Sequence, residues 1–141
     1  MKFIAFLTVL LSLAPQAFSA TVTIEGFRNT KGFAAVSVFH EREQRAFPGD
    51  AEKAIKTLYV PVPKNSKLEF TLDNMPAGKY AVAILHDEDG NKKLNTVLGY
   101  PREGFGFSNN PTILVGAPAF SKCAVELRDD SVVKIKMKYF Y

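Results

Sequence analysis

Apolar residues recur at every second position, in short runs separated by turn formers, and this pattern constrains the chain most. Val22 and Ile24 alternate with Thr21, Thr23 and Glu25, and Leu68, Phe70 and Leu72 alternate with Glu69 and Thr71. A period of two sends successive side chains to opposite faces, so each run reads as a strand with one face in a core and one in water. Phe33–His40 and Lys79–Leu85 are apolar on both faces, which predicts central strands. Leu58–Val62 also reads as extended, but Pro61 and Pro63 cannot donate ladder hydrogen bonds, which places it at an edge. Glu41–Lys56 loses the alternation; Pro48-Gly49 breaks it, and Asp50 is placed to cap a short helical turn over Ala51–Lys56. Met75-Pro76-Ala77-Gly78 has the layout of a type I turn. Near the end, Ala124–Leu127 and Val132–Tyr141 are expected to form a hairpin around Arg128-Asp129-Asp130-Ser131. Together these runs predict an all-β fold, an antiparallel β-sandwich of about seven strands.

The first residues follow a different rule. Lys2 supplies a positive charge, Phe3–Leu13 is apolar apart from Thr8 and Ser12, and Ala17 and Ser19 are small residues spaced one apart. This is the layout of a secretory signal peptide, with cleavage expected after Ser19 and Ala20 as the close alternative. The apolar run is shorter than the roughly 20 residues of a spanning helix, so no transmembrane segment is expected after cleavage. Residues 1–19 then form the leader and 20–141 one sandwich domain, exported to the periplasm or secreted. In an oxidising compartment the single cysteine, Cys123, has no partner within the chain and reads as a small buried hydrophobe. Two histidines, His40 and His86, leave little material for a zinc site. A formal charge of +4 does not point to nucleic acid. Lys134, Lys136 and Lys138 share one face of the last strand and read as a solvated row that discourages edge pairing, and no nucleic-acid partner is expected.

One stretch exceeds the needs of a bare sandwich. Asp87–Pro118 is a long Gly-rich, Asx-rich connection that also carries Tyr100, Phe105 and Phe107. Long connections in compact domains are usually functional, and these aromatics argue against disorder.

The residues of this stretch carry a family resemblance. Pro76-Ala77-Gly78-Lys79-Tyr80-Ala81-Val82 leads into His86-Asp87-Glu88-Asp89-Gly90-Asn91, and Gly99, Pro101, Glu103, Gly104, Gly106, Phe107, Ser108, Asn109 and Asn110 follow. With Pro118-Ala119-Phe120 and the basic-apolar Lys134–Tyr141, this strongly resembles the bacterial exported family of domain of unknown function 2141 across the mature chain. The resemblance implies a transthyretin-like or immunoglobulin-like sandwich and no established activity.

Three readings of the stretch compete. Asp87, Asp89, Asn91 and Asn95 repeat oxygen donors at the spacing of a calcium loop, with Leu94 in the apolar position between. Against that, Lys92 stands where a sharp-turn glycine belongs, Leu98 stands where a bidentate glutamate would, and Glu103 could close the site only from further along. An Asx-rich turn bonding its own backbone uses the same residues. The second reading is a hydrolase-type enzyme working through His86, Asp87 and Glu103, with Ser108 nearby, although Gly106–Asn110 is no nucleophile elbow. The third is a binding surface for an envelope ligand or protein: Tyr100, Phe105 and Phe107 as a shallow platform, with Ser108 and Asn109 at the turn that reverses the loop. The reading adopted is a non-enzymatic binding or structural module of the bacterial cell envelope acting through residues 87–118, with calcium as its possible cofactor.

Overall fold

A computed structural model describes residues 17–97 and 100–140. Ten strands and one helical turn follow in order: β1 (Phe18–Glu25), β2 (Phe33–His40), β3 (Lys56–Pro61), β4 (Lys67–Met75), β5 (Lys79–Asp87), β6 (Thr96–Val97), β7 (Tyr100–Pro101), β8 (Gly104–Phe107), α1 (Phe120–Cys123), β9 (Val125–Glu126) and β10 (Ser131–Lys136). One sheet runs β10-β1-β4, the other β3-β2-β5-β8 with β9 also on β5, and β6 and β7 form a separate small ribbon. The all-β sandwich expectation holds. β3 lies at an edge and β5 is central, as Pro61 and the two-sided apolarity of Lys79–Leu85 required.

Alternation explains where the core sits. Val22, Ile24, Val36, Val38, Val82 and Ile135 all point between the sheets and are essentially inaccessible. The opposite face of β2 and β5 is covered too. Phe39 and Ala81 pack there with Phe47, Phe120 and Cys123, under the segment after β2 and under α1. A second small cluster is what a strand apolar on both faces demands.

Four expectations need correction. The terminal hairpin does not form: β9 pairs with β5 in one sheet, while β10 pairs with β1 in the other. The Arg128–Ser131 turn does form, but Asp130 N–H bonds Ser19 O and Ser19 N–H bonds Asp129 Oδ1. Those bonds dock the turn on the start of β1 and deliver β10 beside β1. The β1–β10 pair is consequently parallel, so the sandwich is not wholly antiparallel. The helical turn expected over Ala51–Lys56 is a 3-10 turn over Ala51–Lys53, which Asp50 precedes without a side-chain cap, and Lys56 already belongs to β3. Finally, the 87–118 stretch is not all loop, because β8 joins the ladder of β5 from Gly104 to Phe107.

Most of the expected leader lies outside the described residues. Its last two residues, Phe18 and Ser19, open β1; Phe18 is buried and meets Tyr80 edge-on, with ring centroids 5.8 Å apart. Both expected cleavage points therefore fall within β1.

Candidate functional site

The carboxyl end of β5 sends His86 inward and Asp87 outward, since neighbouring residues on a strand face opposite ways. His86 is fully buried and meets Phe27 edge-on, with ring centroids 5.3 Å apart. Its Nε2–H donates to Lys31 O at 2.8 Å, which leaves Nδ1 to accept from the Tyr139 hydroxyl at 2.8 Å in the neutral ring. Tyr139 is brought there by Gly104, where a Cβ would lie 2.2 Å from the Tyr139 ring. Arg28 lies over the same ring, 4.7 Å from its centroid, and pairs with Glu88 at 2.6 Å. Burial pushes Glu88 up, but hydrogen bonds from Asn29 and Arg28 outweigh it and hold the carboxyl below the ordinary range.

Asp87 is also fully buried, and both its oxygens are engaged. Tyr59 donates to Oδ2 at 2.7 Å, Lys92 N–H to Oδ2 at 2.8 Å and Asn91 N–H to Oδ1 at 3.2 Å. Burial alone would raise this carboxyl; the bonds from Tyr59 and the backbone hold it below its usual value. Gly32 lets the preceding loop pass against this strand end, for it has φ +65° and a Cβ there would meet Asp87 O at 2.0 Å.

The chain from Asp87 to Glu103 folds back on itself. Asp89 Oδ2 accepts from the Asn91 side-chain amide at 3.1 Å and from the Asn95 amide at 2.8 Å, and Asn91 Nδ2 also donates to Asn95 Oδ1 at 2.9 Å. Glu103, buried at the foot of β8, accepts from Glu88 N–H at 3.2 Å and Asn95 N–H at 3.3 Å. One carboxylate oxygen each from Asp87, Asp89 and Glu103 lies within 4.8 Å of the others. None of the three is in an ion pair with another described residue. Burial, with the charges of Asp89 and Asp87 close by, holds the Glu103 carboxyl above its ordinary range.

The four-residue oxygen set expected from spacing is thus rearranged. Asp87 and Asp89 converge with Glu103, while the side chains of Asn91 and Asn95 bond each other and Asp89. Glu103, which spacing left outside the four-residue set and could bring in only from further along, joins as the third partner because β8 returns it through sheet pairing, as Leu85↔Phe105 and His86↔Gly104 show. Tyr59 and Tyr139 were missed as well; the outward side of the period-two β3 run was the only sign of Tyr59.

Ser108, Asn109 and Asn110 are more than a reversing turn. Ser108 is fully buried; its hydroxyl accepts from Val82 N–H at 2.9 Å and donates to Cys123 O at 2.6 Å. Asn109 Nδ2 donates to Lys122 O at 3.0 Å. Asn110 Nδ2 donates to Lys134 O at 2.9 Å, and Asn110 Oδ1 accepts from Lys136 N–H at 2.9 Å. The triplet therefore ties β5, α1 and β10 together, and Asn110 occupies backbone groups on the free edge of β10.

The aromatic platform separates. Phe105 is buried and Phe107 half-buried against Phe47, whereas Tyr100 is 50% exposed and meets Phe140 edge-on at 5.8 Å. Only Tyr100 of the three faces water.

The family described as DUF2141, uncharacterized protein conserved in bacteria, matches residues 22–136. No curated protein and no solved structure matches the chain significantly.

Proposed function

The chain belongs to DUF2141, a family of uncharacterised bacterial proteins, and we propose that it is an exported, non-enzymatic binding or structural module of the cell envelope whose working surface, residues 87–118, is ordered by a calcium ion. The observation that carries this reading is the convergence of Asp87, Asp89 and Glu103 within 4.8 Å, two of them buried and none ion-paired among the described residues. Like charges so close, and sheltered from water, repel unless a proton or a cation lies among them. Calcium fits the donor set, because it is a hard cation that takes six to eight oxygens, several of them from carboxylates. Asp87 Oδ1, Asp89 Oδ1 and both Glu103 oxygens accept one hydrogen bond each, so every one of the three carboxylates keeps an oxygen with a lone pair to spare. Asp87, Asp89 and Glu103 would hold the ion; the ion would supply the positive charge that these three carboxylates do not find in an ion pair among the described residues.

The hydrolase reading of His86, Asp87 and Glu103 meets an obstacle. His86 is buried, and both ring nitrogens are committed to Lys31 O and Tyr139, so moving a proton would first require breaking one of those bonds. Its place is that of a tie between the loop before β2, the end of β5 and the C-terminal segment.

Thermal melting with calcium, magnesium or chelator tests the proposal. A melting temperature that rises with millimolar calcium, and rises less with magnesium, is the expected result. An unchanged melt would remove calcium from the reading.

A further inference from the structure

We infer that residues 111–118 form a membrane-contacting knuckle that seats the protein on an anionic lipid bilayer. The segment Pro111-Thr112-Ile113-Leu114-Val115-Gly116-Ala117-Pro118 leaves the sandwich just after the Ser108–Asn110 clasp. At its tip Leu114 is 79% exposed and Val115 is 92% exposed. An isolated exposed aliphatic is ordinary, but two adjacent ones at the tip of a projecting segment put apolar surface where nothing among the described residues covers it.

What surrounds the tip points to the occupant. Asn109 and Asn110 at the base of the knuckle bond the backbone of Lys122, Lys134 and Lys136, and the Lys138 ammonium bonds Pro111 O. The base of the knuckle is thereby tied to the three segments that carry Lys122, Lys134, Lys136 and Lys138. Lys122, Lys134 and Lys136 are exposed, and their ammonium groups make no ion pair among the described residues. Neither 104–125 nor 131–141 contains an acidic residue. Of the acids that border these runs, Glu126 pairs with Arg128 at 3.5 Å and Asp129 accepts from Ser19, while Glu103 and Asp130 stand at the two runs' starts. Glu25, opposite Lys136 on β1, pairs with Lys67 at 3.6 Å.

An apolar tip carried between lysine-bearing segments that contain no acid matches the two attractions of a bilayer surface, acyl chains for the tip and anionic headgroups for the lysines. An uncharged groove in another protein would satisfy the tip but would leave the lysines without a matching charge. Gly104–Phe107 separates the knuckle from Glu103, so the inference does not depend on the cation site.

Co-sedimentation of the protein with phosphatidylglycerol-containing vesicles and with phosphatidylcholine-only vesicles tests it. The expected result is sedimentation with the anionic vesicles, weakened about tenfold on neutral ones and reduced by salt. Replacing Leu114→Ser and Val115→Ser together should lower that partitioning by about tenfold while leaving the thermal melt unchanged. Replacing Lys134→Gln and Lys136→Gln should weaken the salt dependence, since two of the four lysine charges are gone. No sedimentation with anionic vesicles, or equal sedimentation of the Leu114/Val115 variant and the parent, would overturn the inference; so would a knuckle that proved to engage only another protein.

Discussion

The Tyr59 hydroxyl donates to Asp87 Oδ2 at 2.7 Å, so an edge strand holds the carboxylate that opens the acidic loop. The relationship runs across the sheet: Phe33 on β2 pairs with Asp87 and stacks its ring on Tyr59 at 4.6 Å. Burial and the bond to Asp87 push the Tyr59 phenol up to about 12. Tyr59 is therefore neutral, and a donor, at any ordinary pH.

Replacing Tyr59→Phe should destabilise the fold in a pH-dependent way. The folded Asp87 carboxyl lies below its unfolded value of about 3.9, so its bonds stabilise the fold at neutral pH. That contribution is lost as pH falls through the folded value. Urea unfolding at pH 7 should show a lower midpoint for the variant, and the gap should narrow below about pH 4. A gap that is the same at pH 7 and pH 3 would show that Asp87 is not the partner that matters.

Ser108→Ala should cost about 2–4 kcal/mol, because two buried backbone groups, Val82 N–H and Cys123 O, lose their side-chain partner together. Equilibrium urea unfolding measures it. A loss under about 0.5 kcal/mol would mean that both groups find other partners.

Cys123 should resist alkylation in the native protein. It is fully buried, and burial pushes its thiol up to about 11, so little reactive thiolate exists at pH 8. Mass spectrometry after iodoacetamide should find the thiol unmodified in buffer and fully modified in urea. Rapid native labelling would place the thiol at the surface.

Glu103 gives calcium-free protein an unusual acid response. Its folded value lies above the unfolded one of about 4.3, so the neutral form is favoured by folding. The stability this confers is fully present below about pH 4.3 and is lost as pH rises through the folded value. With chelator present, the Glu103 contribution to the melting temperature should therefore grow as pH is lowered through the folded value toward about 4.3. Glu103→Gln should flatten that rise. A rise of equal size in the variant would assign it to another group.

The sandwich was legible in the chain because its core strands obey a period of two: Val22 and Ile24, Phe33–His40 and Lys79–Leu85 all sit where their patterns place them. Pro61 likewise marked the edge. The end of the chain was not legible, since the Arg128–Ser131 turn looks the same whether its strands pair together or divide between sheets. What distinguishes the two is the parallel pairing of Thr21–Glu25 with Val132–Lys136, more than a hundred positions away in sequence. The candidate site was half legible. His86, Asp87 and Asp89 stand together in sequence, but Glu103 joins them only through the β5–β8 register. The Asx spacing that suggested ligands is consumed by Asn91 and Asn95 bonding each other and Asp89.

Isothermal titration calorimetry of calcium into the chelator-treated protein, beside its Glu103→Gln variant, tests the central claim most directly. The account predicts a one-to-one isotherm for the parent and an affinity at least about tenfold weaker for the variant, since one of three carboxylates is gone. Absence of binding heat in the parent at millimolar calcium, or equal isotherms for the two proteins, would contradict it.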